Sequence, residues 1–202
     1  MVVNERDGLG DGLVPDYLTS VQLGEFFDWP YAYIGPNPDP DYGEEKPELV
    51  AQTVALEVLF QSHSAPLGLA FYDGEMFPSE FRGDAFVALH GSWNASQPTG
   101  YKIVRIPFKN GRPMSWYENF AVGFWAKGSR TARVWRRPAG LAIAADGSLL
   151  IADDVLESRH LRRAQFPGAV HPQHHRGPNL RGHGHNGNTS DQAGRPCNNP
   201  PR

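Results

Sequence analysis

"PLGLAFYDG", Pro66 to Gly74, returns 72 residues later as "PAGLAIAADG", Pro138 to Gly147. Self-similarity at a fixed spacing marks a repeat architecture, in which stacked units share a core that none can bury alone. Each copy is followed by a short apolar run that ends in polar residues: "GDAFVALHG", Gly83 to Gly91, and "SLLIADD", Ser148 to Asp154. A third such ending, "VVNERD", Val2 to Asp7, opens the chain. Between the copies lie "GYKIVRIPF", Gly100 to Phe108, closed by the Asn-Gly turn of "KNGRP", and the aromatic run "ENFAVGFW", Glu118 to Trp125. Strands are therefore predicted near residues 66–72, 85–90, 101–107 and 119–125, after which the pattern restarts. Four antiparallel strands per repeat make a propeller blade. A helical reading fails, because Gly and Pro punctuate the chain and no apolar i, i+3, i+4, i+7 stripe survives three turns. The predicted fold class is all-β, a partial propeller.

Composition agrees. The 202 residues are enough for one domain with a useful core, and 22 Gly with 18 Pro suit many short strands joined by turns. The net charge of -3 gives no electrostatic case for nucleic acid. A single cysteine, Cys197, excludes an internal disulfide. No run approaches the ~18 apolar residues of a membrane helix, and no basic segment with an apolar core follows Met1, so no signal peptide is expected.

The average hides two unlike parts. Residues 1–155 hold 12 Lys/Arg against 20 Asp/Glu, a net charge of -8. Residues 156–202 hold 7 Arg, 2 acidic groups and six of the eight histidines, with few large apolar side chains. Such a segment does not bury enough surface to offset its ordering entropy. The expected organisation is a partial propeller over 1–155 and a disordered Arg/His/Gly/Pro-rich tail over 156–202. At a spacing of 72, residues 1–155 amount to about two blades, whereas a closed ring needs at least roughly four. The chain is thus expected to be a piece of a longer protein or to assemble with something else, and self-association through open blade edges is one expected partner mode.

The motifs also carry a family likeness. "NERDGLGDGLVPDYLTSV", "FFDWPYAYIG", "SHSAPLGLAFYDG", "FRGDAFVALHGSWN", "GYKIVRIPFKNGRP" and "RRPAGLAIAADGSLLIADD" resemble, in order, the C-terminal portion of the glucose/sorbosone dehydrogenase family. The likeness is to the L-sorbosone dehydrogenase and fungal pyranose dehydrogenase branch. It covers about residues 2–155. It implies a six-bladed propeller carrying pyrroloquinoline quinone (PQQ) and calcium, a sugar substrate, an electron acceptor and a secreted or periplasmic location. The family's catalytic base is a histidine on an early blade, in a part of the fold that this chain does not match. No catalytic residue is assigned here for that reason. After "IADDV" the chain also departs from the family's usual "NTIWRV"-like strand, which points to a shifted reading frame or a divergent tail.

Two groups of residues are candidates for the site. In the loop from Asn4 to Asp16, four acidic residues (Glu5, Asp7, Asp11 and Asp16) among three glycines suit a hard cation or a solvated turn. It is no EF-hand, since Leu9 and Leu18 stand where ligands would be needed. By the resemblance, Arg6, through its carbonyl, and Asp7 are the calcium ligands. The second group sits at strand mouths. His63 precedes Pro66, Arg137 precedes Pro138, and the two are expected to hold corresponding places in the copies. His90, Trp93 and Asn94 follow the second strand. Arginine matches carboxylate geometry, and an indole stacks on a planar ring. The resemblance therefore implies that His63, His90, Trp93, Asn94 and Arg137 contact PQQ. Simple hydrogen bonding between blades is the alternative for His63 and His90. Ala95 departs from the family, which often has Arg after "SWN".

Other signals are weaker. "LEVLFQ", Leu56 to Gln61, matches a viral protease site by chance. The sequons at Asn94 and Asn188 matter only in a secreted protein. The tail histidines lack the fixed-spacing partners of a structural zinc site. Two functions stay open: a truncated PQQ-dependent sugar dehydrogenase, inactive alone, or a non-catalytic propeller fragment used for binding or assembly.

Overall fold

A computed structural model of the chain describes residues 1–5, 8–154 and, for the backbone alone, 161–164. All of these fall within one unit, Met1–Pro167. The remainder of the tail lies outside the described residues. Among the described residues, three antiparallel sheets of three or four strands follow one another along the chain, beside three two-stranded hairpins. The first pairs Val2–Val3 with Tyr17–Leu18 and that strand with Val58–Leu59. The second has the order Glu118–Ala121, Lys102–Ile106, Ala85–Leu89, Pro66–Phe71. The third pairs Pro138–Ile143 with Leu149–Asp153 and that strand with Leu161–Ala164. The architecture is part of a β-propeller, with a complete four-stranded blade in the middle.

The four predicted strands of the middle blade are all present. The last is shorter than "ENFAVGFW" suggested: it stops at Ala121, Gly123 takes φ +98°, and Trp125 begins a separate hairpin. The third sheet also runs past residue 155. Leu161–Ala164 lies along Leu149–Asp153, inside the stretch whose composition marks a tail. Backbone pairing supplies that strand, and it makes no demand on apolar content. Residues 20–57, between the second and third strands of the first sheet, hold a small hairpin and the short helix Pro47–Gln52. Among the described residues no helix is long and apolar enough to cross a membrane.

The middle sheet is buried on both faces, which explains its nearly continuous apolar runs. Ala85, Val87, Leu89, Val104 and Ile106 pack with Leu18, Val58 and Phe60 from the first sheet's side. Phe86, Ala88 and Ile103 pack with Leu149 and Ile151 of the third sheet, joined by Tyr72, Phe77 and Phe81. One charge is buried with them. Asp84, 2% exposed, accepts a 2.6 Å hydrogen bond from Arg105 Nε, and the guanidinium lies 3.8 Å from the Phe81 ring centre.

The repeated words sit where blades touch. The register shift between Pro66 and Gly68 recurs between Pro138 and Gly140. A Cβ on Gly68 would stand 2.6 Å from the Ala139 carbonyl oxygen and 3.2 Å from Gly140 Cα. The two Asp-Gly turns also meet: a Cβ on Gly74 would stand 2.7 Å from Gly147 Cα. Tyr72 locks them together, donating its hydroxyl to the Gly147 carbonyl (2.9 Å) and accepting from the Phe77 N–H (2.8 Å). Gly140 differs, since a Cβ there would meet only the Ala152 side chain of its own sheet, at 3.5 Å.

Gly68→Ala is therefore expected to destabilise the protein by about 1–3 kcal/mol, as overpacking against a backbone does. Gly140→Ala is expected to be neutral within about 0.5 kcal/mol. Urea unfolding of both variants checks the contrast, and equal effects would contradict the blade contact described.

Candidate functional site

The first loop is tied down from several directions. Asp16 is buried, accepting the Glu5 N–H on Oδ1 and the Ala65 N–H on Oδ2, each at 2.8 Å. It therefore holds the loop to the mouth of the middle blade. Gly10 offers its carbonyl to His63 Nε2 at 3.0 Å. Asp11 reaches the "SWNAS" loop, accepting the Ser96 N–H at 2.9 Å and the Ser96 hydroxyl. These bonds to Ser96 hold the Asp11 carboxyl below its usual range. Two of the four acidic groups read as cation candidates thus serve the loop's own architecture. The proposed ligands Arg6 and Asp7 lie outside the described residues. Among those described, no three His, Cys, Asp or Glu side chains converge on a point.

The mouths of the middle and third blades meet through Arg137 and His90. Arg137 donates from Nε to the His90 carbonyl at 3.4 Å and from its terminal nitrogen to the Gly91 carbonyl at 2.5 Å. Its guanidinium stands 5.5 Å from the Tyr101 ring centre. His90 Nε2 lies 2.8 Å from both carboxylate oxygens of Asp154. The strand registers make Leu89 and Asp153 equivalent, since they face Pro66 and Pro138 respectively. His90 and Asp154 are therefore the same position in neighbouring blades, paired with each other. The same register corrects one reading of the sequence. The equivalent of Arg137 is Ala65, not His63, because both stand immediately before the paired prolines.

A cavity of about 240 Å³ opens beside Arg137, lined by Trp93, Tyr101 and Arg130 among others. Trp93 is 81% exposed. Of the expected site residues, the structure brings Arg137 and Trp93 into this cavity, and His90 supports Arg137 through its carbonyl. His63 is buried beneath the first loop with φ +62°, a backbone state uncommon outside glycine. Asn94 is exposed on the turn and does not line the cavity.

Sequence reasoning missed Asp11 as a clamp, Asp154 as the partner of His90, and Asp28. Asp28 has no exposure, φ +52°, and a carboxylate whose Oδ1 accepts the Gly35 N–H at 3.0 Å while Oδ2 is buried without a hydrogen bond. Burial pushes its pKa up to about 6, and the nearby Glu5 charge adds to the shift. The Tyr17 hydroxyl is pushed up by its own burial and by the charges of Glu5 and Asp28. A lone acidic residue in "FFDWPY" carries no periodic signal that would mark it as buried.

The TrAA12-like family model matches residues 43–159, a stretch that includes both copies of the repeat and the motifs quoted around them. An uncharacterized protein of Borreliella burgdorferi is 34% identical over 155 residues, covering 75% of this chain and 39% of that protein. A pyrroloquinoline quinone-dependent pyranose dehydrogenase of Coprinopsis cinerea is 40% identical over 57 residues, covering 28% of this chain and 7% of that protein. The solved holo form of the Coprinopsis cinerea pyranose dehydrogenase PQQ domain has 27% identity and a TM-score of 0.38, covering 52% of this chain and 28% of that one. The chain spans 39% and 7% of the lengths of these two curated relatives.

Asp28 makes stability depend on pH. A carboxyl whose folded pKa lies above its unfolded value near 3.8 favours the folded state while protonated. That contribution is complete below about pH 4 and is lost as pH rises through about 6. Asp28→Asn should keep the Gly35 bond, remove this dependence, and stabilise the protein at pH 7 by on the order of 2 kcal/mol. Unfolding midpoints at pH 4.5 and 7 for both proteins test this; a parallel pH response in the variant would contradict it.

Proposed function

Because the chain belongs to the TrAA12-like family and is related to PQQ-dependent sugar dehydrogenases, we propose that it forms the C-terminal part of such an enzyme. In this reading it supplies cofactor contacts and is inactive on its own. The observation that carries the reading is the family match across residues 43–159 together with Arg137 and Trp93 lining one cavity.

The residues suit a planar quinone bearing carboxylates. Arg137 is held by two backbone carbonyls and so presents its guanidinium without a large ordering cost. Trp93 offers an exposed indole face. His90, fixed by Asp154, keeps the carbonyl that Arg137 uses in place. His63 bonds the Gly10 carbonyl of the first loop, and Asn94 follows Trp93 on the same exposed turn. Calcium is assigned to the Arg6 carbonyl and Asp7 by resemblance alone. When bound, the quinone would accept hydride from the sugar's hemiacetal or aldehyde carbon, with calcium polarising it. The proton acceptor belongs to blades outside the span of this chain. The face of the third sheet turned away from the middle blade, where a Cβ on Gly140 would meet only Ala152 of its own sheet, supports association with further blades or with a second copy. An extracytoplasmic location and a separate electron acceptor accompany this reading.

The test is reconstitution. The chain with PQQ and calcium should bind the quinone weakly and reduce no dye in the presence of sugars. Adding the N-terminal blades of a full-length relative should restore binding, and Arg137→Ala should then weaken it about tenfold or more, the scale of one charge-assisted contact. Sugar oxidation by the chain alone would overturn the inactive-fragment reading. Unchanged quinone binding by the Arg137 variant would overturn the role given to Arg137.

A further inference from the structure

One hairpin is built in a way that folding alone disfavours. Trp125–Lys127 pairs with Arg133–Val134, and the register sets Lys127 directly opposite Arg133. Like charges facing across a strand pair destabilise it. No carboxylate compensates: Lys127, Arg130 and Arg133 make no ion pair among the described residues. The stretch 119–145 contains five cationic residues and no acidic one, inside a segment of net charge -8. The turn is tightly made, for Gly128 has φ +102° and a Cβ there would stand 2.0 Å from the Thr131 carbonyl oxygen. The hairpin is anchored where Trp135 N–H donates to the Phe124 carbonyl at 2.8 Å. Two indoles flank the cations, Trp125 at 41% and Trp135 at 72% exposure. An uncompensated cationic surface with exposed indoles fits an anionic ligand that offsets the repulsion.

We propose that this hairpin, with Lys127, Arg130, Arg133, Trp125 and Trp135, binds an acidic polysaccharide of the polyuronate class. The arginines meet ring carboxylates through their planar fork, and the indoles lie against the apolar faces of the sugar rings. Charge density favours this occupant over nucleic acid. The net charge of -8 over residues 1–155 opposes any polyanion at long range, and it opposes a polyuronate, with one charge per ring, less than a duplex with one charge per about 1.7 Å. Arg130 also lines the cavity beside Arg137, so the site is tested without the quinone, and its polysaccharide binding stands or falls independently of the cofactor reading.

The probe is polygalacturonate, added to the full chain without PQQ or calcium and followed by tryptophan fluorescence. Binding is expected at low ionic strength, with a loss of about tenfold or more at 0.3 M salt, where screening is strong. Arg130→Ser, at the exposed turn, and Arg133→Thr should each weaken binding at least about fivefold. Arg133→Thr should also raise the thermal midpoint by about 1–4 °C, because it removes the like-charge pair and keeps strand propensity. This opposite movement of stability and binding is the signature of a ligand site. The proposal is overturned if polygalacturonate does not bind, if neutral dextran binds equally, or if duplex DNA binds as tightly. It is also overturned if both variants bind as the parent does. Should Arg133→Thr fail to fold, the Arg130→Ser result decides.

Discussion

The close approach of Gly68 to the Ala139–Gly140 backbone governs the rest of this structure. Two antiparallel sheets normally pack with side chains between them, about 10 Å apart. Here the first strands of two blades come together so closely that a Cβ on Gly68 would stand 2.6 Å from a carbonyl oxygen. This converging edge turns a stack of sheets into the wedge arrangement of a propeller. Away from it, the wedge opens and must be filled by large side chains, which is where Tyr72, Phe77, Phe81 and Phe86 lie. Small residues at the narrow end and aromatics farther out are two consequences of the same geometry.

The site inherits its form from that packing. Because neighbouring strand mouths converge, equivalent positions come within hydrogen-bonding reach, and Arg137 of one blade spans to His90 and Gly91 of the other. Contacts that stabilise the blade junction therefore also orient the groups available to a ligand. The first loop joins the same cluster through Asp16, Asp11 and the Gly10 carbonyl. Substitutions at these positions would alter blade alignment as well as local chemistry. His90 thus takes part in the blade junction through Asp154 and holds Arg137 through its carbonyl.

The fold was legible in the sequence to a large extent. The repeated words, the apolar runs between them and the Asn-Gly turn give the four strands of the middle blade within a few residues, because alternation and turn chemistry act locally. The first sheet was harder to read. Its strands are only two residues long and are separated by residues 20–57, so no periodic signal accumulates. Arg137 and Trp93, singled out by residue type, line one cavity in the structure. Asp28 was not legible in the sequence, because its burial results from how a non-repeating loop folds over Tyr17.

The sequence by itself determined the repeat, the strand-forming segments and the glycines that permit backbone contact, since each depends on neighbouring residues or on a fixed spacing. Only the tertiary structure decided that His90 meets Asp154, that Asp11 clamps Ser96, and that Lys127 faces Arg133. The first two join residues 64 and 85 positions apart, and their meeting depends on how one blade is set against the next. The third depends on a register shift inside a short hairpin, which moves a side chain from one partner to another without altering the composition.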